Sequence, residues 1–411
     1  MPHHAATHDE PSRLKPRGSS QGGLRQYNER VVLQAIRLHG ALPGAEIARL
    51  TQLTAQTISQ ITKRLEGDGL LVKGAPLRGK VGQPSVPLSL NPDGAFAIGV
   101  KVGRRNLDVL LVDFIGAVRE RWSLDYPFPD PDAVLAEIGR RLKDIRRLLG
   151  PARRERVQGI GIAAPLQMGG WQQLLGVDPA LSARWDHVDL AAEVARLGGL
   201  PVELLKDTAA ACVAELVAGR GRSVKSFLYV FVDTFIGGGL VIDSHLRAGL
   251  HGNAGAIGSM PLGLSAPGQA APPTQLLGRA SLLTLERLYA AAGLDPGATG
   301  DARALQPPWA PVTRRWLGET AAAIALAANS AACLLDLDGV IVDGSFSREL
   351  LAALMAELAP ALDRYDWEGV QRPAALPGTI GPDARALGGA LLPLYANFAP
   401  DRELFLKVGT G

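Results

Sequence analysis

Two segments share one pattern: FAIGVKVGRRNLDVLLVDFIGAVRERWSL at residues 96–124 and FLYVFVDTFIGGGLVIDSHLRAG at residues 227–249. The first reads as strand, turn, strand, turn, strand, with apolar runs at 98–102, 107–112 and 118–122. The second repeats that design, with runs at 227–232, 239–242 and around Leu246. Each triplet is followed by helical sequence, at 132–149 in the first half and in the alanine-rich stretch 321–335 in the second. A duplication of this kind predicts two α/β lobes facing a cleft.

The 411 residues are too many for one ordinary core and predict two or three globular units. With 47% hydrophobic and 20% charged residues, the composition excludes a largely disordered chain. The most apolar stretch, 321–335, is interrupted by Asn329 and Ser330, so no membrane span is expected. Residues 1–22 are polar and rich in Pro, Gly and Ser; they read as a disordered arm, on which His3, His4 and His8 are incidental. Only Cys212 and Cys333 are present, which supports neither a disulfide framework nor a Cys-rich zinc site and fits a reducing cytoplasm.

Charge is uneven along the chain. Up to residue 90 the basic residues outnumber the acids two to one, whereas the remainder is slightly acidic. A basic unit joined to a mildly acidic one is the footprint of a phosphate-binding module with a separate sensor. Within 23–91, apolar residues recur at helical spacing over 28–39, GAEIARLT (44–51) makes a second short helix, and AQTISQITKRLEGDG (55–69) a third, with Thr54 as its N-cap. Ile58, Ile61 and Leu65 point inward, leaving Gln56, Thr57, Ser59, Gln60 and Lys63 on outer faces.

Two short helices joined by a tight turn match a helix-turn-helix whose second helix enters the DNA major groove. Gln can bond adenine bidentately, Ser and Thr serve base or phosphate, and Lys63 most simply meets phosphate. The sequence LLVKGAPLRGKVGQPSVPLSL (70–90) then reads as strand, loop, strand: a wing, with Arg78, Lys80 and Gln83 on its loop. Cations there can lie along the backbone or dip into the minor groove. Double-stranded operator DNA is the expected partner.

From about residue 23 to about 395 the chain resembles the ROK family, which joins repressors and sugar kinases. The resemblance implies an α/β fold: an N-terminal winged helix-turn-helix (23–91) followed by a two-lobed ribonuclease H-like, actin-like domain of sugar-kinase type (92–411), with sugar in the cleft and, in the kinases, ATP beside it. Departures from the kinase pattern are informative. Where the kinases carry Asp-Ile-Gly-Gly-Thr to cradle phosphate, this chain has Lys101, Val102, Gly103, Arg104 and Arg105, so that two bulky cations fill the turn. The second phosphate loop, usually opening with Gly-Thr-Gly, is Asp233, Thr234, Phe235, Ile236, Gly237, Gly238 and Gly239, and those glycines read as the tight hairpin of the repeat, required for backbone angles alone.

The kinases' catalytic Asp follows an Asn; here the pair is Lys206 and Asp207. The resemblance implies that Asp207 contacts a ligand hydroxyl, and the alternative is a helix N-terminal residue favoured by the dipole. Lys206 either pairs with an acidic or phosphorylated ligand, bridges to Asp207, or faces solvent. The family's Gly-Glu-Ile-Gly-His, whose Glu and His touch sugar, becomes Gly255, Ala256, Ile257, Gly258 and Ser259, and no cysteine follows, so no structural zinc and no cofactor are expected. His251 and Asn253 lie just upstream, placed either to bond a ligand or to face water. A buried strand at 340–342 ends in Asp343, Gly344 and Ser345, and Gly388, Gly389 and Ala390 read as close helix packing.

These readings lead to a non-enzymatic DNA-binding regulator, a repressor that acts as a homodimer or larger homo-oligomer. Its effector is a small molecule, a sugar or an anionic sugar derivative. The competing readings are an active sugar kinase with a DNA-binding head and a constitutive regulator whose C-terminal domain is purely structural.

Overall fold

The computed structural model describes residues 21–76, 86–170, 172–265, 268 and 271–400. Arg78, Lys80 and Gln83, together with nearly all of the stretch read as an arm, lie outside the described residues. The first helix, α1 (Gln21–His39), begins inside that stretch and seven residues before the apolar periodicity does. Leu24 and Tyr27 are more than half exposed, so these turns bury little that periodicity could detect. β1 (Leu42–Pro43), α2 (Gly44–Thr51), α3 (Ala55–Gly67), β2 (Leu71–Lys73) and β3 (Pro87–Leu90) follow. β3 lies between β1 and β2, antiparallel to both.

The first lobe contains β4 (Phe96–Val102), β5 (Asn106–Asp113), β6 (Val118–Asp125), α4 (Pro131–Arg154) and β7 (Val157–Ala164). Short helices α5 (Gln172–Leu175) and α6 (Pro179–Ala183) lead to α7 (Leu190–Gly198) and β8 (Val202–Lys206). After α8 (Asp207–Ala218) the second lobe contains β9 (Phe227–Val232), β10 (Gly237–Ile242), β11 (His245–Arg247), α9 (Leu277–Ala280), α10 (Leu282–Ala291), α11 (Ala310–Leu335), β12 (Gly339–Gly344), α12 (Arg348–Leu362) and β13 (Ala374–Pro377). α13 (Ala384–Phe398) is the last element of the described residues. The sheets have the same plan, β6-β5-β4-β7-β8 and β11-β10-β9-β12-β13, with an antiparallel triplet extended by two parallel strands. The repeat therefore extends beyond the triplets to two complete five-stranded sheets.

The helix that leaves each sheet packs across the other. α8 leaves the first lobe and lies against β10; α13 leaves the second and lies on β7, β4 and β5; the two helices pack on each other. Small residues make this crossing possible. A Cβ on Gly388 would fall 1.7 Å from the Ala210 carbonyl oxygen, and one on Gly161 would fall 1.8 Å from that of Gly389. α11, by contrast, is long and apolar enough to span a bilayer by composition, and it runs through Asn329 and Ser330 without a break. Trp316, Leu317, Ile324 and its buried alanines pack it against α12 in the second lobe's core.

The N-terminal elements share one apolar core with α13 and β5. The Arg37 guanidinium lies over the rings of Phe114 and Tyr395 and donates to the Phe114 carbonyl at 2.8 Å. Phe398 meets Phe114 edge-on at 4.7 Å, and Arg222 donates to the Leu38 carbonyl at 3.1 Å.

Candidate functional site

Two surfaces have the residue types of a site, and they lie on different parts of the chain. The first is the outer face of α3. Thr54 caps the helix by accepting from the Thr57 amide at 3.2 Å, and the two hydroxyls lie 2.9 Å apart, so Thr57 is half-buried and tied to the cap. Ile58, Ile61 and Leu65 are buried; this burial, worth about 1.5–3 kcal/mol per side chain, fixes which face points out. Gln56, Ser59, Gln60 and Lys63 fall at i, i+3, i+4 and i+7 and are all exposed, making one polar stripe. Arg64 is turned away from that stripe by its ion pair with Glu29 at 2.9 Å.

The second surface is a cavity of about 370 Å³ between the lobes. β8 ends at Lys206, and α8 starts at Asp207, whose Oδ1 accepts from the Thr208 amide at 2.8 Å. Four of the expected ligand residues, Lys206, Asp207, Asn253 and Ser259, are brought together in the lining. His251 is exposed and does not line the cavity. Lys206 is half-buried, and its ammonium has no hydrogen-bond or ion-pair partner among the described residues, so it neither bridges to Asp207 nor stands free in solvent. Burial pushes its pKa down, with Asp207 opposing.

Arg104 also lines the cavity. Its guanidinium stands 5.3 Å from the centre of the Phe235 ring and donates to the carbonyls of Met168 and Gly170 at 3.2 Å and of Gln167 at 3.4 Å. Arg105 diverges from it, contrary to the expectation that both cations fill the turn. It bonds Glu286 of α10 at 2.7 Å and so links the lobes. The glycines 237–239 differ from expectation too. They are strand residues of β10 with φ outside the left-handed region, and close approach is what requires them. A Cβ would meet the Thr208 side chain at 2.8 Å from Gly237, the Tyr229 carbonyl oxygen at 2.4 Å from Gly238, and Cys212 at 2.6 Å from Gly239.

Behind the cavity is an ionic cluster of two buried cations and half-buried carboxylates that the sequence did not reveal. Arg385, near the start of α13, pairs with Asp233, lies 3.9 Å from Asp207 and donates to the Ser345 hydroxyl at 3.2 Å. Lys101 is fully buried and donates to Asn106 and, at 3.0 Å, to Asp108. Burial would raise the Asp233 pKa, but Arg385 and Lys101 outweigh it and hold the carboxyl below its ordinary range. Burial, aided by Arg385, pushes the Lys101 pKa down. At the positions that the kinase resemblance assigns to phosphate loops, 101–105 and 233–239, the charges of Lys101, Arg105 and Asp233 are thus met by Asp108, Glu286 and Arg385, and Arg104 alone bonds only carbonyls.

Two five-stranded sheets of one plan, exchanging a helix and enclosing a cleft, define a two-lobed α/β protein of the actin-like sugar-kinase type. The family model described as ROK family matches residues 97–394, and the chain belongs to that family. A xylose repressor of Caldicellulosiruptor bescii is 26% identical over 237 residues, 57% of this chain and 58% of that protein. The chain thus matches a little under three fifths of that relative's length. Among solved structures, a ROK family transcriptional regulator described as a homologue of the E. coli MLC protein aligns with a TM-score of 0.64 and 20% identity, covering 93% of this chain and 98% of that one. A ROK family glucokinase from Streptomyces griseus, in complex with glucose and AMPPNP, aligns with a TM-score of 0.55 and 21% identity over 72% of this chain and 99% of the kinase. At these identities the likeness establishes the fold.

Proposed function

We propose that the chain is a sugar-responsive transcriptional repressor that does not phosphorylate its effector. In this reading residues 23–91 are a winged helix-turn-helix, residues 92–411 sense the ligand, and a homodimer or larger homo-oligomer in the cytoplasm binds a two-fold operator. The observation that carries the proposal is the ion pair of Arg385 with Asp233. It puts internal charge where a kinase of this fold needs open backbone amides for phosphate. The repressor names among its relatives support the same reading.

The exposed stripe of α3 is the proposed base-reading surface. Gln56→Ala is expected to relax operator choice at one position by about 1–3 kcal/mol, while Lys63→Ala weakens all sequences alike and lowers the salt slope by about one. Gel-shift titrations against a randomised operator library at two salt concentrations measure both. Equal loss on every sequence for Gln56→Ala would remove α3 from the reading role. Point substitutions suit this test better than deletion of residues 1–90, which would bare the apolar surface of α13.

Asp207 is the proposed effector anchor, because a carboxylate can accept two hydroxyl hydrogen bonds. Lys206, Asn253 and Ser259 complete the polar lining, and His251 would join them only if its loop moved. In calorimetry, a sugar that shifts operator binding should lose affinity for Asp207→Ala by about 1.5–3 kcal/mol, the range for hydrogen bonds to a charged group. No sugar should stimulate ATP turnover. Turnover that depends on a sugar and is abolished by Asp207→Asn would favour the kinase reading instead.

A further inference from the structure

We infer that the effector carries an anionic group, a carboxylate or a phosphate on a sugar-sized body, and that Arg104 together with Lys206 receives it. The inference rests on the reading of the interlobe cavity as the effector site. Among the described residues the cavity presents two cations, Arg104 and Lys206, against the one carboxylate of Asp207. Asp207 is in turn shared with Arg385, 3.9 Å away, so it cannot neutralise both. The cluster behind the cavity does not compensate, because Arg385 and Lys101 are matched there by Asp233 and Asp108.

The two cations differ in how they are held. Arg104 is fixed, with Phe235 on one face and the carbonyls of Gln167, Met168 and Gly170 around its nitrogens. Carbonyls orient the guanidinium but leave its charge uncompensated, and a pre-oriented fork suits carboxylate or phosphate. Lys206 is half-buried with no partner for its ammonium among the described residues. Desolvating a cation without a counter-charge is costly, and an incoming anion removes that cost. The cavity, at about 370 Å³, falls at the small end of ligand pockets and fits a monosaccharide with one charged substituent. Its neutral polar side chains, Gln167, Thr208, Asn253 and Ser259, can hold the hydroxyls of such a body, while Ala256 offers no side-chain hydrogen bond.

The test is calorimetric titration of the full chain at low and moderate ionic strength with three sets of probes. These are neutral D-glucose and D-xylose, their carboxylates D-gluconate, D-glucuronate and D-xylonate, and the phosphate ester D-glucose 6-phosphate. One anionic member is expected to bind about tenfold or more tightly than its neutral parent, with a preference that shrinks as salt rises. The carboxylate and phosphate arms tell the two sources apart. Lys206→Met should bring the ratio of anionic to neutral affinity close to one, and Arg104→Met should do the same. Arg104 also braces a loop, so the unliganded melting temperature is measured for each variant, and Lys206→Met carries the test if Arg104→Met fails to fold. If a neutral sugar binds as tightly as any anion and releases operator, the inference falls while the regulator reading stands. The same holds if the preference survives Lys206→Met. If no probe binds and none alters operator affinity, both fall.

Discussion

Gly388→Ala will leave little folded protein at temperatures where the parent is stable. The added methyl would fall 1.7 Å from the Ala210 carbonyl oxygen and 2.5 Å from its carbon, so the neighbour is backbone within α8 and cannot rotate aside. α13 has little room to give elsewhere, because it is packed as closely on β4 and β7, where a Cβ on Gly99 or Gly161 would strike its carbonyls. Overpacking in a core costs about 1–3 kcal/mol where side chains can adjust, and a backbone clash in the middle of the fold belongs above that range. Gly318→Ala is the control. That helical position has nothing within 4 Å of its would-be Cβ, and alanine there should be neutral or stabilising by about 0.5–1 kcal/mol. Denaturant unfolding of both variants measures the difference, and comparable midpoints would refute the account of the crossing.

Asp233→Asn will destabilise the chain by about 3 kcal/mol, the lower end of what breaking a buried ion pair costs. Arg385 is 6% exposed and would be left with Asp207, 3.9 Å away, as its nearest carboxylate. The sign of the pH dependence follows from the direction of the Asp233 shift. Its carboxyl is held below the ordinary range, so the pair's contribution is complete above that range, near pH 4 and higher, and is lost as pH falls through the lowered value. The parent should therefore lose stability more steeply than Asp233→Asn below about pH 4. Because much of the cost is an uncompensated charge, the double variant Asp233→Leu with Arg385→Met should be more stable than Asp233→Asn. A double variant that is worse than the single would mean that the pair contributes through geometry.

Local signals were read well, and Gly388 and Gly389 were rightly read as close packing, but their partners and the other long-range contacts were not. Periodicity and capping chemistry gave α2 at its observed bounds, β9 from Phe227 to Val232, and Thr54 as the cap of α3. The duplicated triplet anticipated two lobes, and Asp207 was placed at the first turn of its helix. Four of the five expected ligand residues line the cavity. Arg385 was missed because its partner Asp233 lies 152 residues away, and nothing in the local sequence marks it. The glycines of β10 were assigned to backbone angles because their real neighbours, Thr208 and Cys212, approach only when α8 crosses between the lobes. β1 is two residues long and visible only through its pairing with β3.

α13 has a practical consequence for anyone exchanging parts between proteins of this fold. Over its 15 residues, roughly 22 Å of helix, it runs from Arg385 beside the cavity to Tyr395 and Phe398 beneath α1. The surface that receives the N-terminal elements is therefore supplied by the far end of the chain, with Phe114, Arg222 and the carbonyl of Ala399 adding to it. A chimera cut at the sequence boundary near Asn91 would graft a foreign helix onto a socket shaped for Arg37. The transplantable unit is discontinuous: residues 21–91 together with Phe114, the last turn of α13 and the arginine of the α8–β9 connection.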